Sequence, residues 1–519
     1  MEPLTSPDLA QLAARGLTPQ AVSAQLHQLR HPPRPITIDR PCTVGDGIIR
    51  LDPALYPHLL DRGDEVAVAG RVTKFVPASG AATRMFKDLL GALQGPARPS
   101  TLPAVLELFQ RLHELPFGGE VSRRAGLDGV PETEADERRL LQTLLIDMRL
   151  AEQPKALVPF HRSGRHRSDR NRTAFEEQLL EGTRYTRAAD GTCRLHFTVS
   201  PDARPLFEAA LTMLTPIVEA RCPGAVLMVT LSEQHPSTDT VAIDAQGLLF
   251  RNADGSLVFR PSGHGALLRN LQGLCVDLGA DLVVVKNIDN VLPDGASADV
   301  VRWKRMLLGF LADLQDEAFG HLRALHDPAC PAALTDAALA FAWKSFARVP
   351  PDTCTAPDER HRFAIDALDR PLRICGVVRN EGEPGGAPFW VRSADGLSTA
   401  QIVEASQVAM TDPEAARVFR SATHFNPVDL VCGLRSWRGT PFDLSRFVDD
   451  DTAFVVEKSD NGRALRALER PGLWNGAMAG WNTVCVEVPA ATFAPVKTVF
   501  DLLRPQHQPR ITGVLPTAP

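Results

Sequence analysis

Apolar residues recur every three or four positions over residues 8–12 and 21–29 and stop at the Pro-rich piece 31–35, which predicts an N-terminal helical cap over residues 1–65. An apolar run at 71–77 reads as a strand; it runs into the small-residue turn Ala78-Ser79-Gly80-Ala81-Ala82, and a helical pattern opens near Thr83. Strand, turn and helix in that order form the first unit of an α/β fold. Residues 102–115 and 134–150 are apolar at helical spacing around a Gly-rich stretch at 117–130, predicting a helical insertion at about 91–152. Strand patterns at 157–160, 193–199 and 225–231 then alternate with helical ones at 174–180 and 203–214, a βαβ rhythm that favours a largely parallel sheet. Strands at 240–243 and 257–260 flank turns at Ala245-Gln246-Gly247 and Asp254-Gly255, the pattern of a hairpin. A helix at 266–278 and an apolar strand at 282–285 complete a core over residues 66–300. Two long helices, 298–325 and 332–346, occupy a linker region at 301–360, and the Pro-rich run 349–357 leads to an α+β C-terminal segment, 361–519. The expected class is α/β with a mixed, mainly parallel central sheet flanked by helices.

Composition narrows the class of protein. A chain of 519 residues exceeds one core's usual size, and 44% apolar with 23% charged residues is a globular balance. A net charge of -6 gives no global pull towards nucleic acid or anionic membrane, so phosphate binding has to be local. The stretch from Met1 to Arg15 holds Asp8 and lacks a basic region followed by a continuous apolar run, and no later stretch has the roughly 20 apolar residues of a membrane helix. Nine scattered cysteines lack the paired spacing of zinc sites and read as reduced thiols. The expected location is cytoplasmic, with no nucleic acid or membrane partner.

Chemistry gathers at a few strings. Ser79-Gly80-Ala81-Ala82-Thr83-Arg84-Met85 follows a strand and opens a helix: small residues let backbone amides approach phosphate oxygens, a helix N-terminus adds positive potential, and Arg84 neutralises charge. No Gly-Lys-Ser/Thr ends the turn, so it is not a Walker loop. Taken alone, it fits a ligand-free strand-to-helix turn equally well. Phe259-Arg260-Pro261-Ser262-Gly263-His264-Gly265 places two glycines around a polar residue, so that backbone can curl against a flat base and the side chain can face a ligand. Asp289 follows the apolar strand, where open α/β sheets place ligand chemistry; capping the next helix is the other reading.

The order of these strings resembles that of UDP-sugar pyrophosphorylases. Ser79 to Met85 looks like their signature loop, usually Gly-x-Gly-Thr-Arg with a later Pro-Lys, here Pro154-Lys155; Ala82 stands where the family has its second glycine. Leu195 to Pro201 resembles their strand ending in Thr-Ser-Pro, and Leu231-Ser232-Glu233-Gln234 their Phe-x-Gln, whose glutamine approaches the base; a solvated turn is the other reading of Gln234. Gly263-His264-Gly265 resembles Pro-x-Gly-His-Gly, Asp289-Asn290 their Asp-Asn turn, Phe493 to Lys497 their Phe-x-Pro-Val-Lys, and Thr423-His424-Phe425 their Asn-His-Phe strand with Thr423 in place of asparagine. Pro471 to Gly476 has no counterpart; Trp474 there either stacks on a sugar or packs a turn. The whole chain also resembles a bacterial family known as domain of unknown function 4301.

The resemblance implies a nucleotide-diphospho-sugar transferase fold (GT-A-like, Rossmannoid) and a nucleotidyltransferase that joins a sugar 1-phosphate to a nucleoside triphosphate, UTP favoured, with Mg2+ as cofactor. It implies Arg84, Lys155 and Lys497 as catalytic groups on phosphates, with Lys87 able to serve as a second phosphate ligand, and Asp289 on the metal. Ser79, Gly80, Ala81, Ala82, Thr83, Gln234, Gly263, His264 and Gly265 would hold the nucleotide, and Asn290, Thr423 and His424 the sugar, with the C-terminal segment completing the sugar-phosphate site. Two other readings stay open: a glycosyltransferase of similar fold, for which Asn287-Ile288-Asp289 supplies half of an Asp-x-Asp pair, and a nucleotide-sugar-binding regulator without catalysis.

Overall fold

The computed structural model describes residues 4–162, 171–382, 385–392, 397–460 and 462–508. Two compact units are made from interleaved stretches of chain. One comprises the described residues of 1–75, 232–285 and 304–490; the other those of 76–231, 286–303 and 491–519. No helix among the described residues is long and apolar enough to cross a membrane.

The first unit is built on a mixed sheet. Its strands lie in the order Thr43–Val44, Gly47–Ile49, Asn482–Glu487, Leu372–Arg379, His424–Gly433, Leu282–Lys286 and Val72–Pro77. Val283, Val284 and Val285 are fully buried, as a β-branched strand covered on both faces requires. Leu282–Lys286 runs parallel to Val72–Pro77, and Leu372–Arg379 parallel to Asn482–Glu487 but antiparallel to His424–Gly433. The parallel rhythm is therefore broken at His424–Gly433. Nor does the core close at residue 285, since three strands from beyond residue 371 extend the same sheet. Their apolar runs, Ile374 to Val378 and Leu430 to Cys432, are as buried as those of the earlier strands.

The helical readings over 298–325 and 332–346 correspond to the helices Ala298–Leu325 and Ala332–Phe346. The first carries Gly309 at a place where helix propensity alone would cost about 1 kcal/mol relative to alanine. Packing explains it: a Cβ on Gly309 would lie 2.1 Å from the Leu59 carbonyl, and one on Gly63 2.1 Å from the Arg305 carbonyl. Gly63 belongs to Tyr56–Val68, so the two helices meet backbone to backbone. The expected hairpin is present, with Phe259–Arg260 antiparallel to Thr240–Ile243. It joins Arg463–Glu469 and Phe454–Asp460 in a second sheet, whose apolar face is covered by Leu12, Val22, Leu26 and Leu29 of the N-terminal helices.

In the second unit the strands Thr192–Val199 and Val226–Glu233 are hydrogen-bonded neighbours, with the helix Arg204–Arg221 between them in sequence. Three expectations change here. The Gly-rich stretch holds a helix, Gly118–Ala125, which buries Val121 and Ala125 one turn apart. The helix expected over 134–150 is α-helical only as far as Gln142 and widens into a π-turn at Thr143–Asp147, so that Leu140, Leu141, Leu144 and Leu145 are all buried. The strand expected at 157–160 is a 3-10 turn, Lys155–Leu157, followed by Pro159–Arg162, which pairs only with Asn171–Thr173 in a separate two-stranded ribbon.

Two measurements test this packing. Gly309→Ala forces a methyl into the Leu59 carbonyl and should lower unfolding free energy by about 1–3 kcal/mol in urea titrations, the usual cost of overpacking. His196 is buried with Nδ1 2.7 Å from Thr230 Oγ1, and burial pulls it from 6.5 down to about 4. The native state thus binds fewer protons than the unfolded chain, so its stabilising share is full above about pH 6.5 and is lost as pH falls towards 4. The melting temperature of His196→Gln should fall less between pH 7 and pH 5 than that of the parent chain.

Candidate functional site

Within the second unit, two short segments far apart in sequence are zipped together. After Lys286 the chain turns, with Asn290 N–H donating to the Asn287 carbonyl at 3.2 Å. Val496 N–H then donates to the Asp289 carbonyl at 3.0 Å, and Ala494 N–H to Asn290 Oδ1 at 3.0 Å, while Asn290 and Pro495 form a β-bridge. Asp501 fixes the next turn of the chain: its Oδ2 accepts from the backbone N–H groups of Lys497 at 2.8 Å and Thr498 at 2.7 Å, closing a capping box. The ammonium of Lys497 therefore stands 3.1 Å from Asp289 Oδ2.

Lys155 arrives at the same oxygen from another direction. Its backbone N–H donates to the Gly80 carbonyl at 3.0 Å, Ala82 N–H donates to the Gln153 carbonyl at 3.0 Å, and Ala81 bridges Pro154. The loop from Ser79 to Thr83 is thus laid along the turn that carries Lys155, whose Nζ lies 2.7 Å from Asp289 Oδ2. The structure brings together three of the residues singled out in the sequence: Lys155, Asp289 and Lys497.

Their electrostatics follow from burial. The side chains of Asp289 and Lys155 are 10% and 13% exposed, that of Lys497 50%. Burial raises the Asp289 carboxyl, but the charges of Lys155 and Lys497 and their hydrogen bonds outweigh it and hold the group below the usual carboxylate range. Burial also pulls the Lys155 ammonium down, with Lys497 adding to the effect and Asp289 opposing it. Both ammonium groups occupy Oδ2, and Oδ1 is buried with no hydrogen-bond partner among the described residues. A bare carboxylate oxygen of this kind suits a hard divalent cation such as magnesium. Among the described residues no group of three or more His, Cys, Asp and Glu could cage a metal, so a magnesium ion on Asp289 would draw its other ligands from phosphate and water.

Arg84 ends the 3-10 turn Ala82–Arg84, exposed and without an ion pair among the described residues, and Lys87 is exposed at the start of the helix Lys87–Gln94. The expected helix near Thr83 thus begins only at Lys87, so the loop does not open directly onto an α-helical N-terminus. Ala82 is fully buried in the core, while the space around Gly80 is open, with nothing within 4 Å of where a Cβ would stand. Thr83 Oγ1 donates to the Ala151 carbonyl at 3.2 Å.

The remaining residues belong to the first unit. Gly263 has φ +75°, and a Cβ on Gly265 would lie 2.3 Å from the Pro471 carbonyl, so both positions need glycine. The His264 ring stacks on Trp474 with centroids 4.2 Å apart and planes 14° apart, and its Nδ1 accepts the Leu473 N–H at 3.0 Å. His264 therefore faces the Pro471 to Gly476 segment, and of the two readings of Trp474 the structure shows the packed turn. Gln234 is half-buried just beyond Val226–Glu233. Thr423 Oγ1 lies 2.9 Å from His424 Nδ1, and buried His424 puts Nε2 3.3 Å from Glu487 Oε1. Arg50 beside Glu487 is the main cause that holds its carboxyl down at about 2.

Sequence reading missed Gln178. The helix Ala174–Gly182 is buried at every position, and Gln178 Nε2 donates to the carbonyls of Asn287 at 2.9 Å and Ile288 at 3.3 Å, the two residues before Asp289. The available signal was Glu176-Glu177-Gln178 inside an apolar helix, which reads equally as a solvated face. Asp501 carried a clearer one, standing three residues after Thr498.

Fold and site define a mixed α/β protein in which Lys155 and Lys497 meet on Asp289. The chain belongs to the family described as Domain of unknown function (DUF4301), matched over residues 5–508. No curated protein matches it. Similar solved structures include the uridine diphosphate N-acetylglucosamine pyrophosphorylase from Trypanosoma brucei in complex with inhibitor, 11% identical over 97% of this chain and 79% of that one, TM-score 0.49. A mutant UDP-glucose pyrophosphorylase from Leishmania major in complex with UDP-glucose is 14% identical over 96% of this chain and 79% of that one, TM-score 0.45.

The centre makes a stability prediction independent of function. Asp289→Asn leaves two ammonium groups without a counter-charge, and the buried one should make the variant about 3–5 kcal/mol less stable to urea. Lys155→Met in the same chain should restore much of that loss.

Proposed function

We propose that this chain is a magnesium-dependent nucleotidyltransferase that makes a nucleotide sugar and pyrophosphate from a nucleoside triphosphate, UTP favoured, and a sugar 1-phosphate. The observation that carries the reading is the convergence of Lys155 and Lys497 on one oxygen of Asp289, with the other oxygen left bare. The chain order of the motifs around these residues supports it, and a GT-A-like nucleotide-binding arrangement and a cytoplasmic location go with it.

A sugar phosphate oxygen attacks the α-phosphorus, a new P–O bond forms, and the bond to the β-phosphate breaks with its electron pair leaving on pyrophosphate. The attacking phosphate is already ionised, so no general base is required; positioning and charge neutralisation do the work. In the unliganded chain Asp289 holds both ammonium groups. Incoming phosphates compete for them: Lys155 turns to the triphosphate and the departing pyrophosphate, Lys497 to the sugar phosphate, and exposed Arg84 to the β and γ phosphates. Asp289 would hold magnesium, which would supply neutralisation of charge on phosphoryl oxygens. The amide Nδ2 of Asn290, the next residue, is buried without a hydrogen-bond partner among the described residues and would be a donor for the sugar. Gln234, Gly263, His264 and Gly265 are assigned to the nucleotide, and Thr423 and His424 to the sugar, by motif alone.

Pyrophosphate release with a panel of nucleoside triphosphates and sugar 1-phosphates is the test. Turnover that falls a hundredfold or more in Lys497→Ala, with the melting temperature unchanged, is the expected result for loss of an electrostatic stabiliser. Sugar transfer to an acceptor without pyrophosphate release would replace the proposal by a glycosyltransferase, and nucleotide-sugar binding without turnover by a regulator.

A further inference from the structure

The helix Ala174–Gly182 is unusual in what it buries. Glu176, Glu177, Gln178 and Glu181 are each no more than 3% exposed, although carboxylates are seldom enclosed unless each is held by a partner. Gln178, Glu181 and Glu177 each have a partner on a segment that carries the Lys–Asp–Lys centre. Gln178 donates to the two carbonyls that precede Asp289. Glu181 accepts from Lys286, at the start of the same turn, at 2.5 Å and from the Tyr185 hydroxyl at 3.0 Å.

Glu177 reaches the other two segments. Its Oε1 accepts from Arg172 Nε at 2.7 Å and from His161 Nδ1 at 3.0 Å, and His161 belongs to the strand that directly follows the Lys155 turn. His161 Nε2 meets His507 Nδ1 at 2.9 Å, with the two rings stacked 5.2 Å apart. His507 ends the 3-10 segments that begin just after Lys497. The contacts run in an unbroken series from Arg172 through Glu177 and His161 to His507, and all four side chains are buried.

We infer that Glu177 and Gln178 are positioning residues that set the spacing of Lys155, Asp289 and Lys497 by gripping the three segments that carry them. This rests on reading that centre as a phosphate site. Their hydrogen bonds run to the carbonyls before Asp289, to Arg172 and to His161, so both act through backbone and through His161 and His507. Losing them loosens the separation of the two lysines without removing either charge.

Titration of the full chain with pyrophosphate in the presence of magnesium reads this directly, using Gln178→Met and Glu177→Gln. The expected result is pyrophosphate affinity at least tenfold weaker in both variants, with each melting within a few degrees of the parent chain. If Gln178→Met fails to fold, Glu177→Gln, which keeps the side-chain shape and one acceptor oxygen, decides alone. Parent-like affinity in a folded variant overturns the positioning role and leaves the phosphate site standing. Absence of pyrophosphate binding by the parent chain overturns the phosphate site and the positioning role together.

Discussion

The second unit is organised around one shared acceptor, Asp289 Oδ2, which takes an ammonium hydrogen from Lys155 and another from Lys497. A buried carboxylate is costly unless compensated, and here the compensation comes from two chain segments far apart in sequence. Each is held in place by its own backbone bonds: the Lys155 turn by Gly80, the Lys497 turn by Asp501 and by the bridge from Asn290 to Pro495.

Burial sets the two ammonium groups apart. Lys155 is enclosed and its ammonium is pulled down by that burial, with Asp289 opposing the effect. Lys497 is half exposed. The same carboxylate thus serves two groups of different exposure.

Much of this was legible from residues alone. The long helices, the hairpin and the strand at 282–285 followed from periodicity because each is uniform in apolar pattern and length. Lys155, Asp289 and Lys497 were singled out by the resemblance of the short strings around them to those of UDP-sugar pyrophosphorylases. What stayed hidden has a common cause. A polar residue inside an apolar helix looks the same in sequence whether it faces water or a buried carbonyl, so nothing set Gln178 and Glu177 apart. The π-turn after Gln142 and the late start of the helix at Lys87 are deviations of a few residues that tertiary burial imposes and propensity does not record. The stacking of His264 on Trp474, far along the chain from it, is a contact that no local reading supplies.

The bridge between Asn290 and Pro495 also orders events in time. A ribosome makes Lys155 and Asp289 long before it reaches residue 497, so during synthesis the carboxylate has one lysine and an open flank. Val496, Val499, Leu502 and Leu503, which sit in the same apolar core, are added only then. The chain is thereby prevented from assembling the complete Lys155–Asp289–Lys497 centre until almost the whole of the described sequence has been translated, and a product cut short before residue 494 would lack one of its two lysines and leave an unfilled groove in the core.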